Sequence, residues 1–317
     1  MNVNSPRTLM SVGATGTRVA SLEKKLDRLG YLQGKPDDTF DKRTSQAVMA
    51  WKGDHGWQNP APVVGARMST QLRLEGTFKP AGTETPSTMK GATYNCRIGR
   101  NPAEVARVVS GFAHGQKLDF LQLQEISGYH DALQNIPGYH LVTFAGSKDH
   151  GETGVLVRDG LEAKRPQSIE ADTGWTNVHG RPAQPRAATS VRLAGWLRVA
   201  SIHAPPGIDW KNGHPVGGAA RIESYQSLTR KLAQAALRQH RRHPDMGVLY
   251  GGDWNEGART TGPGSPASLA ARAGLKKFAN GRIDWEMGSG VVVKNMKVGP
   301  DGGSDHRLVT FTVSRPK

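Results

Sequence analysis

Hydrophobic positions change their period once along this chain, and the change separates a helical beginning from a β-rich remainder. Val19, Leu22, Leu26 and Leu29 recur at three- and four-residue steps, the spacing of one helix face, and Gly30 with Tyr31 closes the segment. A second amphipathic segment begins near Thr44 and carries Ala47, Val48 and Trp51 inward, after a turn written GKPDDTFD. Residues 1–75 are therefore expected to form a small all-α domain. Residues 76–90, GTFKPAGTETPSTMK, mix Pro, Gly, Thr and Ser without a hydrophobic period, which is linker chemistry.

Residues 91–317 read as a second, larger domain. β-rich runs occur at ATYNC, DFLQLQEI, TGVLVR, ATSVRL, LRVASIH, GVLYGGD, GVVVKNMKV and LVTFTV, each bounded by Gly, Pro, Asp or Asn. Two helical stretches interrupt them. Pro102 to Phe112 aligns Val105, Val108, Val109 and Phe112, and Ala219 to His240 aligns Ile222, Tyr225, Leu228, Leu232 and Ala236. Many strands with few helices predict two sheets packed face to face with helices outside. RTTGPGSPAS and the Gly-rich GPDGGSD are expected to be flexible connections, the second directly before Asp305 and able to move with substrate.

Acidic, amide and imidazole residues follow the apolar runs. They are Asn95 in TYNCR, Glu125 in DFLQLQEI, His203 in RVASIHAPP, Asp253 and Asn255 in VLYGGDWNE, Asp284 in RIDWEM, and Asp305 with His306 in GGSDHRLVTF. Burying an unpaired carboxylate costs several kcal/mol unless a metal, proton or partner compensates, so such strand ends are poor core and good site material. Several of them meeting on one rim would make a metal-dependent active site. Taken singly, each has a plainer reading as a turn, cap or hydrogen-bonded core residue.

Charge narrows the partner. The chain has 42 Lys and Arg against 27 Asp and Glu, a formal charge of +15. Residues 1–75 hold 11 and 7 of these, so the larger part carries a surplus of 11. That excess favours a polyanion, nucleic acid first and an anionic envelope or lipid surface second, with a solubility surplus as the alternative. Cys96 is the single cysteine, which excludes an intrachain disulfide. MNVNSPRTLMSVG lacks the basic region and apolar stretch of a secretory signal, and no run approaches the ~20 apolar residues of a transmembrane segment. The expected location is the cell envelope after lysis, or a phage particle that carries the chain, and otherwise the cytoplasm.

The first module, GATGTRVASLEKKLDRLGYLQGKPDDTFDKRTSQAVMAW with the later VVGARMSTQL, resembles the peptidoglycan-binding domain of cell-wall hydrolases. Gly16, Val19, Leu22, Leu29, Gly30, Tyr31, Gly34, Asp38, Phe40, Thr44, Ala47 and Val48 carry the likeness. It departs at Asp41, where a glycine is usual, and at Trp51-Lys52, where an aromatic-Gln pair is usual. The matching positions are core and turn positions, so they speak to architecture more than to wall binding.

The order Asn, Glu, His, Asp-x-Asn, Asp, Asp-His across residues 90–315 resembles the endonuclease/exonuclease/phosphatase superfamily. The resemblance implies a four-layered α/β sandwich, two packed sheets flanked by helices. It further implies that Asn95 and Glu125 hold Mg²⁺, with Mn²⁺ or Ca²⁺ as alternatives, and that Asp305 lies close to the same metal. By the same likeness Asp253 orients or deprotonates the attacking water, Asn255 holds the scissile phosphate, and Asp284 and His306 form an acid-imidazole pair. SIHAPP and YNCRIGR look more like the deoxyribonuclease I branch than the abasic-site endonucleases, and the tryptophan-aspartate-arginine signature of the inositol-polyphosphate phosphatases is missing. In that branch a glutamate supports the first histidine. Glu152 in HGETGVLVR is the candidate, with Glu162 and Glu170 nearby, and Arg97 and Arg186 occupy phosphate-contacting positions unless they are solvated surface arginines.

The chemistry asks for these residue types independently. Attack of water on an anionic phosphodiester needs a hard cation with oxygen ligands, which Glu125 suits, and a base poised near neutrality, which His306 oriented by Asp284 provides. His203 is a second imidazole across the phosphate. Non-specific binding of DNA through phosphates fits the charge, and Arg238, Arg241 and Arg242 either extend that face or answer a helix dipole. Three functions follow for comparison: a cell-wall-tethered, phage-encoded DNA endonuclease; a sphingomyelinase-like phospholipid phosphodiesterase, which should show an exposed aromatic hairpin; and a catalytically silent wall-binding or virion structural protein. Trp175, Trp196 and Trp210 are scattered rather than paired, which favours the first.

Overall fold

A computed structural model describes residues 10–55, 63–64, 66–74, 85–143, 151–172, 174–176, 182–183, 185–211, 214–216, 218–257, 260, 262, 265–279 and 283–316. The chain divides into two compact units, Met1–Glu84 with Asp159–Glu162, and the remainder. The linker residues 76–84, residues 259, 261, 263 and 264 of RTTGPGSPAS and the side chains of Trp175 and Trp210 lie outside the described residues.

The first unit contains α1 (Thr17–Arg28), α2 (Lys42–Asp54) and α3 (Ala66–Gln71). Val19, Leu22 and Leu26 are fully buried as their spacing requires, but Leu29 is 53% exposed because it is the C-cap residue, one step past the buried stripe. The second helix begins at Lys42 rather than near Thr44. Asp41 caps it, its carboxylate accepting the Thr44 amide, so the residue replacing the expected glycine ends the turn and starts the helix. Glu23 is fully buried beneath that turn, where it accepts from the amides of Asp37 and Asp38 and from the Thr44 hydroxyl.

In the second unit the elements run β1 (Thr88–Asn95), α4 (Pro102–Gly115), β2 (Phe120–Gln124), α5 (His130–Gln134), β3 (Tyr139–Val142), β4 (Thr153–Arg158), β5 (Ala163–Glu170), β6 (Trp175–Thr176), β7 (Pro182–Ala183) and β8 (Ala187–Leu193). There follow β9 (Leu197–His203), β10 (Asp209–Lys211), β11 (His214–Val216), α6 (Ala219–Arg242), β12 (Gly247–Asp253), α7 (Pro266–Ala273), β13 (Lys276–Phe278), β14 (Asp284–Ser289), β15 (Val292–Val298) and β16 (Val309–Ser314). One six-stranded sheet has the order β15-β16-β1-β2-β4-β3 and the other β13-β14-β12-β9-β8-β5. Both are mixed, with β1 parallel to β2 and β9 parallel to β12 inside otherwise antiparallel ladders.

Alternation along the strands builds four layers. Ala92, Tyr94, Leu121 and Leu123 face α4, which returns Val105, Val109 and Ala113. Asn101 starts that helix by accepting from the Ala103 and Glu104 amides, with Pro102 set in its first turn. On the other outer face α6 lays Tyr225, Leu228, Leu232 and Ala236 on Ala200, Ile202, Val248 and Tyr250. Each buried Val, Leu or Ile among them contributes about 1.5–3 kcal/mol.

The interface between the sheets is partly polar, which explains the glutamines in FLQLQ. Gln122 donates to the Ala200 carbonyl at 2.8 Å, Gln124 to the Ser201 hydroxyl at 2.9 Å, and Ser201 to the Leu123 carbonyl at 2.7 Å. Thr153 and Thr189 meet there as well. These bonds fix the register between the sheets, although the Gln122 Oε1 and Glu286 Oε1 atoms in the same layer have no partner. The motif GGD at the end of β12 lies beside it: a Cβ on Gly251 would stand 1.9 Å from Glu286 Oε1, so only glycine allows the close approach.

Two expectations about loops change. Ser265, in RTTGPGSPAS, caps α7 through the Ser268 amide, a helix the hydrophobic pattern did not announce. GPDGGSD is anchored: its Asp301 carbonyl accepts from Tyr94 and its Gly302 carbonyl from Arg100, both at 2.7 Å, and Ser304 donates to the Asn95 carbonyl at 2.9 Å.

Candidate active site

Strand pairing assembles the site. Asp253 is aligned with His203 across β12 and β9 and with Asp284 across β12 and β14, while Asn95 pairs with Gln124 across β1 and β2, one residue before Glu125. The two sheets therefore bring these side chains to a common end. Three residues at this rim take left-handed backbone angles, Arg97 (φ 59°), Glu125 (φ 56°) and Asn255 (φ 50°). For Arg and Glu that costs of order 1–2 kcal/mol, a strain tolerated where it aims a functional group.

Asp253 is the hub. Its Oδ2 accepts from Asn95 Nδ2 at 3.0 Å and lies 3.6 Å from Nε2 of both His203 and His306, while Oδ1 accepts from the Asn255 amide at 2.8 Å. Asn95 Nδ2 also donates to Glu125 Oε1 at 3.1 Å, and Glu125 Oε2 accepts from the Ile98 amide at 2.6 Å. Asn255 Nδ2 donates to the Ala204 carbonyl at 2.8 Å.

Each imidazole has a carboxylate behind it. Asp284 Oδ2 lies 2.8 Å from His306 Nδ1, which holds the ring with Nε2 toward Asp253. Glu152 Oε1 lies 3.0 Å from His203 Nδ1 without forming a hydrogen bond, and the same oxygen is held by Arg186. The two rings differ in charge for these reasons. Burial, then the Arg186 charge, lowers His203 to about 4, against the pull of Asp253 and Glu125. Burial would lower His306 too, yet the hydrogen bond and charge of Asp284, with Asp253 and Asp305, raise it to about 9. Burial also pushes Asp284 upward, opposed by His306. Glu125 is drawn below its ordinary value: burial opposes this, and His203, the Ile98 amide, Asn95 and Arg186 outweigh it.

The donor set suits a hard divalent cation. Ligand atoms of Glu125, His203 and Asp253 lie within 4.8 Å of one another, as do those of Asp253, Asp284 and His306. Glu125 and Asp253 supply carboxylate oxygens in a partly buried cradle, and oxygen donors are what such cations take; Asn95 turns Nδ2 to both carboxylates and its Oδ1 to the Arg97 amide, so its amide would have to turn over to join them. Asp305 stands apart from both groups. It is exposed and accepts from its neighbour Ser304, acting on His306 through its charge.

Of the phosphate-contacting candidates, Arg97 is exposed beside the rim and anchored through its amide to Asn95 Oδ1, whereas Arg186 is turned onto Glu152. Of the nearby glutamates, Glu170 accepts from Ser168 on β5. Trp196 is buried, its indole donating to the Pro86 carbonyl, so it is no part of an exposed hairpin. Two contributors escaped the sequence: Arg186 as the partner of Glu152, and Arg100, whose bond to Gly302 spans 202 residues. No local pattern announces either.

A family model described as the Endonuclease/Exonuclease/phosphatase family matches residues 92–306, and one for a peptidoglycan binding domain matches residues 15–60. No curated protein sequence matches the chain. Among solved structures, the endonuclease/exonuclease/phosphatase from Bacteroides vulgatus is similar with a TM-score of 0.50 and 16% identity, covering 73% of this chain and 100% of that one. Humanized D. rerio TDP2 gives 0.50 and 18%, covering 72% and 100%, and the human Nocturnin catalytic domain 0.51 and 12%, covering 73% and 95%. At these identities the likeness concerns the fold.

Proposed function

The chain belongs to the endonuclease/exonuclease/phosphatase family, and on that premise we propose that it is a metal-dependent phosphodiesterase that nicks DNA without reading sequence, tethered to bacterial cell wall by residues 1–75. The observation that carries the reading is the approach of two imidazole nitrogens, each backed by a carboxylate, to the single buried oxygen of Asp253 at 3.6 Å. Phosphodiester hydrolysis needs that economy: a group to take a proton from water and another to give one to the leaving oxygen.

In the proposed mechanism Asp253 holds the attacking water, with His203 beside it in the neutral state. Water adds to phosphorus as the bond to the leaving oxygen breaks; its proton passes to the Asp253–His203 pair, and His306, the expected base, serves instead as the acid that supplies the proton taken by the leaving oxygen, because Asp284 favours its protonated form. Asn255 keeps one amide proton for a phosphate oxygen after its bond to Ala204. A cation held by Asn95 and Glu125, Mg²⁺ in the first instance and Mn²⁺ or Ca²⁺ otherwise, would neutralise charge developing on the phosphate oxygens. Glu152 and Asp284 position the rings, and Arg97 meets substrate phosphate.

DNA is favoured by the surplus of 11 positive charges outside residues 1–75, because phosphate contacts supply affinity without reading bases. Among the described residues no helix is long and apolar enough to cross a membrane. A wall-bound nuclease released by lysis or carried on a phage particle accounts for the pairing of modules.

The test is nicking of supercoiled plasmid with Mg²⁺, with EDTA, and with His203→Ala and His306→Ala, alongside sphingomyelin turnover and co-sedimentation with peptidoglycan sacculi. Metal-dependent nicking lost in both variants supports the reading. Turnover of sphingomyelin instead of plasmid moves the chain to the lipid phosphodiesterases, and sacculus binding with every substrate intact leaves a silent wall-binding protein.

A further inference from the structure

A second concave site lies at the other end of the same sheet. A pocket of ≈ 430 Å³ opens between β5, β9 and the last turns of α6, lined by Arg165, Arg198, Arg238, Arg242 and His243, with Gln167, Ser168 and Gln239 between them. Arg198 is five residues before His203 on β9, about 17 Å along the strand, so this pocket is remote from the rim where Asp253 sits.

Its chemistry is one-sided. No carboxylate is among its described lining residues, and among the described residues none of Arg165, Arg198, Arg238 and Arg242 is ion-paired. The helix dipole explains basic residues at the exposed end of α6, but it does not explain Arg198. That side chain projects from the middle strands, is only 6% exposed, donates through Nη1 to the Arg165 carbonyl at 2.8 Å, and leaves its buried Nε without a partner. Burying a guanidinium costs several kcal/mol unless an anion compensates. Burial pulls Arg198 below the ordinary arginine value; Tyr250 opposes this, while Arg192 and Arg165 add to it. The β5 strand bends to build the place, with a break in register between Lys164 and Gln167 and Arg165 in a left-handed conformation at φ 53°.

We propose that this pocket binds a phosphate-bearing anion, whether a free oligophosphate or the backbone of a nucleic acid strand, as a second anion site separate from the catalytic cleft. Several guanidinium groups gathered around amide and hydroxyl side chains are an arrangement that recognises phosphate oxygens. The size of the pocket admits several phosphates or a nucleotide.

The test is calorimetric titration of the full chain in EDTA, at low salt, with inorganic tripolyphosphate and separately with a short single-stranded oligodeoxynucleotide. Arg198→Gln and the exposed pair Arg238→Ala/Arg242→Ala are each expected to weaken binding about tenfold or more, with Arg107→Ala, an exposed residue of α4 packed on the other sheet, as the control that leaves it unchanged. The exposed pair guards against misfolding in Arg198→Gln. Binding of tripolyphosphate identifies a site for free oligophosphate; binding of the oligonucleotide alone identifies the strand backbone. No binding by the wild type, equal binding by the pocket variants, or an equal loss in Arg107→Ala would overturn the proposal. Because the metal is chelated and turnover is not read, failure of the nuclease reading and failure of this one are distinguishable.

Discussion

Asp284 and His306 are joined by both carboxylate oxygens, Oδ2 at 2.8 Å and Oδ1 at 3.1 Å from Nδ1, and the consequence is that Nε2 of the ring faces Asp253. Asp284→Asn keeps the size of the side chain while removing the charge that raises His306. Loss of a proton donor held in place this way is worth about 10²-fold or more. The expected outcome is a kcat for plasmid nicking reduced by that order with KM nearly unchanged. A KM effect with kcat intact would mean that the pair serves binding rather than proton transfer.

Glu286 is fully buried between the sheets, with Gln122 Nε2 at 3.4 Å and its Oε1 unpartnered. Burial pushes its carboxyl well above the ordinary value, and Gln122 offsets this only in part. The unfolded chain releases this proton first as pH rises, so the stability the group contributes is complete below the unfolded value of 4.5 and is lost as pH climbs toward the folded one. Glu286→Gln, which fits the same space, should flatten the fall in unfolding free energy above pH 4.5. Urea unfolding at a series of pH values checks it, and parallel curves for the two proteins would refute it.

How much of this was legible depended on whether a feature is local. The β-rich runs, the stripes of α4 and α6 and the polar residues at strand ends are written in spacings of a few residues, so the sandwich was readable from periodicity and turn residues. The assembly of Asn95, Glu125, His203, Asp253 and Asp284 at one rim was readable only as an ordered set, since pairing across β12 is what aligns them. The partner of Glu152 and the anchoring of GPDGGSD were not, because they join residues far apart in the chain. Leu29 and α7 show the limit at element ends: a stripe does not say where a helix caps, and Pro266–Ala273 is too short for a clear period.

Gly302 tests that anchoring. It takes φ 58°, and a Cβ there would stand 2.5 Å from Val108 Cγ1 and 2.8 Å from Phe112 Cζ. Gly302→Ala is expected to lower stability by about 1–2 kcal/mol and to displace Ser304 and His306, reducing kcat by about tenfold, a barrier change of about 1.4 kcal/mol. Thermal unfolding and nicking kinetics on one preparation separate the two effects. Full kcat in a destabilised variant would show that the turn serves folding alone.

Arg186 decides how Glu152 is used. Its guanidinium holds the oxygen nearest His203 Nδ1, and its charge is the second cause, after burial, of the low value of about 4 for that imidazole. Arg186→Met should release Glu152 to accept from Nδ1, which orients the ring better but favours its protonated form. A base must be neutral to take a proton, so a raised His203 moves the acid limb of the nicking profile to higher pH; the sign follows because activity appears only above the value of the base. Imidazole resonances followed by NMR in EDTA should show His203 titrating closer to its ordinary 6.5 in the variant than in the wild type. An unmoved resonance with an unmoved acid limb would place Arg186 on substrate phosphate instead, where its loss raises KM and leaves the profile where it was.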